Sequence, residues 1–426
     1  MTQHWPLRVL VVSPYCPYPP TWGAATRVYQ LIRHLSARHS VTLVSYASPG
    51  AADARQRLLE ICDDVRLVPQ EPRPGWRRRQ LQARSLFDRT PFRVRENRSR
   101  RMQAVIEECL RGGGYDVVQI ESSTMTRFEY ATDAPLVLDE HNIESELLRR
   151  HGAGESSWPR RRFNDLESWK QERLEGSAWR KVAACAVTSE REVATVASQA
   201  PRTAVAVVPN AVDVGFFSPA GNSGAVNPRS IVFTGLMSYR PNLDGARYMV
   251  EEILPRIRAA RPETVLTIVG AGNRRDLDAL RREGVTVTGF VPDVRPFIAG
   301  AACIVVPLRM GGGTRLKVVE ALGMGKPMVS TSLGCEGIGV AAGEHLLVAD
   351  GPVAFAAAVR RVLDRPELGR RLGRAGRELV VAGYSWQHSA QRLAELFEAV
   401  TTQRPANAFR ADPANPHPIT SGRAAT

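Results

Sequence analysis

Lysine is almost missing from this chain of 426 residues: only Lys170, Lys181, Lys317 and Lys326 occur, although Lys and Arg together number 57. Arginine carries nearly all the positive charge, so each retained lysine is a candidate for a geometric role, because an ammonium and a planar guanidinium are not interchangeable as phosphate ligands. Cysteine is sparse too. Cys16, Cys62, Cys109, Cys185, Cys303 and Cys335 lie far apart with no Cys-x-x-Cys, which argues against a zinc site or disulfide framework and fits reduced thiols in the cytosol. Apolar runs such as 9–12 and 303–306 fall far short of the about 20 residues that span a bilayer. The apolar start meets Pro14, Pro17, Pro19 and Pro20 too soon for a signal-peptide core. Asp276 and Asp278 form the one Asp-x-Asp, and they sit in an arginine-rich helical stretch that reads as surface. Gly270-Ala-Gly272 runs into Asn273-Arg-Arg and lacks the third glycine of a nicotinamide fingerprint, and no Gly-x-Ser-x-Gly hydrolase elbow occurs.

What is present points to two α/β domains. The length is too great for one ordinary core and suits two of about 200 residues. Short β-branched runs at 7–13, 41–46, 116–120, 136–139, 182–187 and 205–208 alternate with amphipathic stretches such as 26–38 and 100–110. Strands buried on both faces read this way, and the helical stretches are long enough to cross over a parallel sheet. The pattern pauses at 221–228, rich in Gly, Asn and Pro, then restarts with runs at 230–234, 265–269, 285–290, 303–306 and 328–331. The expected organisation is a Rossmann-like domain over 1–215, a second over 216–385, a helix at 386–401 returning to the first, and a disordered tail over 402–426. Ligands of doubly wound sheets sit beyond the carboxyl ends of the strands, which directs attention to the loops after these runs.

The net charge of +14 is concentrated between Arg73 and Arg101, where arginines interleave with Trp76, Leu81, Leu86, Phe87 and Phe92. Such a segment suits an anionic membrane surface, where each charge adds about 1 kcal/mol; a solvated arginine-rich face is the other reading. No nucleic-acid-binding signature accompanies the charge.

The most informative stretch is Pro307-Leu-Arg-Met-Gly-Gly-Gly-Thr-Arg-Leu-Lys-Val-Val-Glu-Ala-Leu-Gly-Met-Gly-Lys-Pro327. Glycines after a strand let backbone approach a ligand, and a helix beginning near Thr314 aims free N–H groups at phosphate oxygens. Lys317 and Glu320, three residues apart, share a helix face. A cation for phosphate and a carboxylate for sugar hydroxyls then point the same way.

This stretch resembles the donor-site signature of family-4 retaining glycosyltransferases of the GT-B fold, the group 1 type of bacterial polysaccharide synthesis. Pro14 with Gly23-Ala-Ala-Thr-Arg27, Asp139-Glu-His-Asn142, Val208-Pro-Asn-Ala-Val-Asp213, Phe233-Thr-Gly235 with Pro241-Asn242, Val269-Gly-Ala-Gly272 and Gly289-Phe-Val-Pro-Asp293 follow in family order. The resemblance implies two Rossmann-like domains facing a cleft. It places Gly23 before the pyrophosphate, offers the backbone of Phe290 and Val291 to the base, brings His141 to the transferred sugar, and sets Glu320 on the ribose. Gly235, Asn242, Gly270 and Gly272 belong to its donor side. Asp139 or Glu140 beside His141 is positioned to hold its tautomer, or to cap a following helix.

Two departures stand out. Relatives carry a glutamate where this chain has Gly312, so donor hydroxyls there meet only backbone N–H groups of Gly312, Gly313 and Thr314, and Leu236 and Pro241 occupy positions where relatives place phosphate-binding cations. Arg240, Arg315 and Lys317 are the available substitutes. The implied reaction moves a sugar from a nucleoside diphosphate to a saccharide or lipid-linked acceptor with retention, without metal or cofactor, on the cytoplasmic side of a membrane. A GT-B-type epimerase or phosphorylase and a membrane-docked binding protein with a degenerate site are the alternatives.

Overall fold

The computed structural model describes residues 6–47, 53–70, 75–97, 99–153, 157–220, 225–311 and 315–402. Gly312, Gly313 and Thr314, the first half of the expected 221–228 linker and the tail from 403 onward lie outside them. The chain forms two compact units, one from Met1–Asn210 with the segment starting at Trp386, the other from Ala211–Ser385.

In the first unit, seven strands form one parallel sheet: β1 (Arg8–Ser13), β2 (Ser40–Tyr46), β3 (Asp64–Val68), β4 (Val117–Glu121), β5 (Leu136–Glu140), β6 (Ala184–Val187) and β7 (Ala204–Val207), ordered β3-β2-β1-β4-β5-β6-β7. Val9 to Val12 are wholly buried, as expected for a strand covered by helices on both faces. β3 has no sequence expectation behind it. It is an edge strand whose Asp64 and Arg66 pair with each other near solvent, so its apolar pattern is weak. Helix Gly23–Leu35 buries Ala25, Val28, Leu31, Ile32 and Leu35 along one stripe, and Arg27 lies on that same stripe. Helix Trp386–Thr401 belongs to this unit, and Ser389 Oγ donates to Pro209 O at 2.8 Å.

The second unit repeats the logic with β8 (Asn227–Thr234), β9 (Val265–Val269), β10 (Val285–Val287), β11 (Ala301–Val306), β12 (Met328–Ser330) and β13 (Leu347–Val348), all parallel and ordered β10-β9-β8-β11-β12-β13. β8 begins inside the expected linker, and β10 stops short of the expected 290 because Gly289 turns with φ +73°. In both sheets the strand order reverses beside the first strand, between β1 and β4 and between β8 and β11. Such a reversal opens a crevice at the carboxyl edge, because successive connections leave it on opposite faces.

Candidate active site

At the reversal of the second sheet, three loops at the carboxyl ends of β8, β9 and β10 lace together through their backbones. Gly235 N–H donates to Val269 O at 2.9 Å, Met237 N–H to Ala271 O at 2.6 Å and Gly270 N–H to Gly289 O at 3.1 Å. The glycines permit this approach. A Cβ on Gly270 would stand 1.9 Å from Gly235 O, and one on Gly272 would be 2.8 Å from Met237 Cβ. Gly235, at φ +155°, leaves room for two side chains: its Cβ would lie 2.6 Å from Lys317 Nζ and 2.8 Å from Asn242 Nδ2.

Helix Leu316–Gly323 follows β11 across this crevice, with buried Arg315 at its N-cap. It buries Val318, Val319, Ala321 and Leu322, which turns Lys317 and Glu320, both half-buried, toward the remaining side. Lys317 Nζ donates to Asn242 Oδ1 at 2.6 Å and stands 4.6 Å from the centre of the Phe233 ring. Asn242 is buried and fixed in turn, its Nδ2 donating to Leu236 O at 2.9 Å. Burial lowers the Lys317 pKa to about 7, the Arg315 charge adds to this, and Glu320 opposes it. Burial likewise raises Glu320 to about 7 against the pull of Lys317. Both groups are thus poised to gain from a ligand that stabilises charge.

Next to this cluster Phe290 is 79% exposed, and Val291 packs partly against the core. Arg240 is exposed at the first position of helix Arg240–Tyr248. Asp276 pairs with Arg247 at 2.9 Å and Asp278 with Arg281 at 3.4 Å, so the Asp-x-Asp is engaged in surface ion pairs.

In the first unit, Gly23 opens helix Gly23–Leu35 at the solvent-exposed end. His141 follows β5, and both of its nitrogens are engaged: Nε2 lies 2.6 Å from Glu121 Oε2 and Nδ1 lies 2.9 Å from the Tyr15 hydroxyl. The expectation that Asp139 or Glu140 holds the ring needs correction. Adjacent strand residues point to opposite faces. Asp139 accepts from Arg27 Nε at 3.0 Å and from Nη2 at 2.8 Å, whereas Glu140 accepts from Trp179 Nε1 at 3.1 Å on the other side. Asp139 remains 3.7 Å from His141 Nε2, and it is Glu121 that makes the bond. Burial raises the Glu121 pKa and the Asp139 charge adds to that, while His141 and Arg27 lower it.

Glu121, Asp139 and His141 each bring one ligand atom within 4.8 Å of the others. Arg27, wholly buried, already neutralises Asp139 and also donates to Asn210 Oδ1 at 3.1 Å. A cation there would compete with a guanidinium. Sequence reasoning missed Tyr15, Arg27 and Glu121. The available signals were a charge on the apolar stripe of a helix, for Arg27, and a carboxylate ending the buried strand Val-Val-Gln-Ile-Glu, for Glu121.

The family model described as Glycosyltransferase Family 4 matches residues 22–216, and the one described as Glycosyl transferases group 1 matches 228–365. The chain belongs to the family-4, group 1 glycosyltransferases. Its fold is GT-B, shared with the sucrose-phosphate synthase of Thermosynechococcus elongatus at TM-score 0.70 and 18% identity over 93% of this chain and 100% of that one. HepE from Anabaena, solved with UDP-glucose, superposes at TM-score 0.63 and 12% identity over 92% and 100% of the respective chains. The glycogen synthase of Mycobacterium tuberculosis strain H37Rv is 27% identical over 278 residues, 63% of this glycosyltransferase-family chain. The chain spans 64% of that synthase's length. Within this family member, Gly235, Asn242, Gly270 and Lys317 meet in one cluster, whereas Gly23 and His141 belong to the other unit.

Proposed function

We propose that this chain transfers a glycosyl group from a nucleoside-diphosphate sugar to a hydroxyl of a saccharide or lipid-linked acceptor, with retention and without a metal. The observation that carries the reading is the glycine-walled cluster around Lys317 at the sheet reversal, with Asn242 orienting the amino group. Lys317, the N-terminal amides of helix Leu316–Gly323 and Arg315 hold the diphosphate, with Arg240 and the Gly312–Thr314 backbone completing that set. Glu320 takes the ribose hydroxyls, and the backbone of Phe290 and Val291 meets the base. The UDP-glucose bound to HepE, a protein of the same fold, supports a sugar nucleotide as donor.

Departure of the diphosphate leaves an oxocarbenium-like sugar. Fixed amides and cations aimed at the leaving oxygens stabilise the developing charge without reorganising, which is the main means by which such a site lowers the barrier. The test is a screen of UDP-, GDP- and ADP-sugars for binding by calorimetry and for nucleotide release. One donor should bind and turn over, and Glu320→Ala should lose about 100-fold or more in turnover if its ribose contact is charge-assisted. A protein that neither binds nor consumes any of them has another function.

The acceptor is read as membrane-bound, in surface or exopolysaccharide synthesis at the inner face of the plasma membrane. Between helices Gly75–Ser85 and Phe92–Asn97, Phe87 is 92% exposed and Leu86 half-exposed, flanked by exposed Arg84 and Arg89. Apolar side chains amid cations suit an anionic interface. Among the described residues no helix is long and apolar enough to cross a membrane. Phe87→Ser with Arg84→Ser and Arg89→Ser should abolish co-sedimentation with vesicles containing phosphatidylglycerol, and unchanged sedimentation removes this part.

A further inference from the structure

Arg309 lies three residues beyond β11, in the segment leading to helix Leu316–Gly323, and it is an exposed cation close in sequence to Arg315 and Lys317. A phosphate ligand is the obvious reading of such a residue. The geometry gives its donors another use. Arg309 Nε donates to Asp244 Oδ2 at 3.1 Å and Nη2 to Asp244 Oδ1 at 2.9 Å, a two-pronged pair. Its remaining nitrogen, Nη1, lies 3.6 Å from Glu252 Oε1, and its guanidinium carbon stands 4.3 Å from the centre of the buried Tyr248 ring. A phosphate approaching this guanidinium would meet two carboxylates beside it, so its charge is spent on the protein itself.

Asp244 and Tyr248 belong to helix Arg240–Tyr248, which also carries Asn242, and Glu252 lies in the π-helical turn Met249–Ile253 that continues it. All of these residues lie in the second unit. The helix touches the segment after β11 at several further points. A Cβ on Gly245 would stand 3.1 Å from Leu308 Cδ2 and 3.2 Å from Pro307 O, so the helix backbone lies directly against the start of the segment. Gly311, at φ +110°, packs on Pro241: its Cβ would lie 3.3 Å from Pro241 Cβ and 3.4 Å from Arg315 Nη2. Asn242 then takes the Lys317 amino group at 2.6 Å. The glycine contacts set how near the two elements come, whereas a planar, two-pronged pair also sets their orientation.

We propose that Arg309 is a positioning residue of the diphosphate site: clamped by Asp244 over the Tyr248 ring, it locks the segment after β11 to helix Arg240–Tyr248, so that Arg315 and Lys317 are set in place before the nucleotide arrives. A site ordered on folding binds more tightly because its ligand does not have to order it. The inference rests on the assignment of Arg315 and Lys317 to the diphosphate above.

The experiment titrates the full chain by calorimetry with UDP, GDP and ADP, then takes the nucleotide that binds to Asp244→Asn, Arg309→Lys and the double variant. Arg309→Lys keeps the charge and removes the fork. Each single variant should weaken that nucleotide about tenfold, and the double variant no more than either, because both changes remove the same interaction. Hydrogen exchange followed by mass spectrometry on the nucleotide-free proteins should quicken in the peptide holding Arg309 and Lys317 and stay unchanged in β9, a local effect that general destabilisation does not produce. Unchanged affinity in the single variants, losses that add in the double variant, or unchanged exchange in that peptide overturns the proposal and leaves the donor reading standing. Tighter binding by Asp244→Asn, with full affinity in Arg309→Lys, makes Arg309 a phosphate ligand and overturns the proposal as well. Wild-type protein that binds none of the three nucleotides overturns the donor reading and this inference with it.

Discussion

Replacing Lys317 by Met should make the free protein more stable and deprive it of nucleotide binding. The amino group's fall from its ordinary 10.5 to about 7 corresponds to roughly 5 kcal/mol against the charged form. Its bond to Asn242 returns about 1.5–3 kcal/mol, and the Phe233 ring beneath it about 0.5–2 kcal/mol. Methionine keeps the apolar stem and removes the charge, so a net gain of roughly 1–2 kcal/mol is expected near pH 6. The gain has a defined pH dependence. Between about 7 and 10.5 the unfolded chain holds the lysine proton and the folded chain has released it, so wild-type stability rises with pH and the advantage of the variant shrinks. Urea unfolding at pH 6 and pH 10 reads this, and calorimetry with the accepted nucleotide should show roughly 10- to 100-fold weaker binding, the worth of a charged hydrogen bond. A variant less stable than wild type at pH 6 would mean that the ammonium holds the fold together. Unchanged nucleotide affinity would refute its assignment to the diphosphate.

Three further outcomes are expected. Gly270→Ala places a Cβ 1.9 Å from Gly235 O, whereas at Gly289 the nearest atom is 4.0 Å away; urea unfolding should show about 1–3 kcal/mol of overpacking at the first beyond the backbone cost common to both, with nucleotide binding lost only there. Arg27→Met leaves Asp139 buried without its cation and should cost about 3–5 kcal/mol in the same assay; Arg27→Lys should not restore it, because an ammonium does not make the two-pronged bond. Glu175 is pushed up to about 7 by burial, against hydrogen bonds from Ser145 and Gln171. The folded carboxyl keeps its proton above 4.5, where the unfolded one loses it, so this group costs stability as pH rises through that window. Glu175→Gln should therefore gain roughly 3 kcal/mol on wild type between pH 4.5 and pH 8, read by urea unfolding across the range.

The parallel sheets, the glycines at strand ends and the Lys317–Glu320 helix face were legible because each is a local property. A run of β-branched residues, a Gly after it and a three-residue spacing on a helix all act over one or two turns of chain. The edge strand β3, with Asp64 and Arg66 turned to solvent, and the two-residue β13 carry too little of that local signal. Gly235 was readable through the family resemblance as part of the donor side, but not that Gly270 from the neighbouring strand lies against it. The partners of His141 were beyond the reach of any local pattern. Tyr15 is 126 positions away in the chain, and Arg27 is 112 positions from Asp139. They meet because β1 lies beside β4, and β4 beside β5, and that order is settled by how the crossovers pack. Amino-acid sequence alone therefore determined which residues were chemically equipped to act, while the tertiary structure decided which of them touch, since hydrogen bonds and buried charges depend on neighbours in space that chain spacing does not encode.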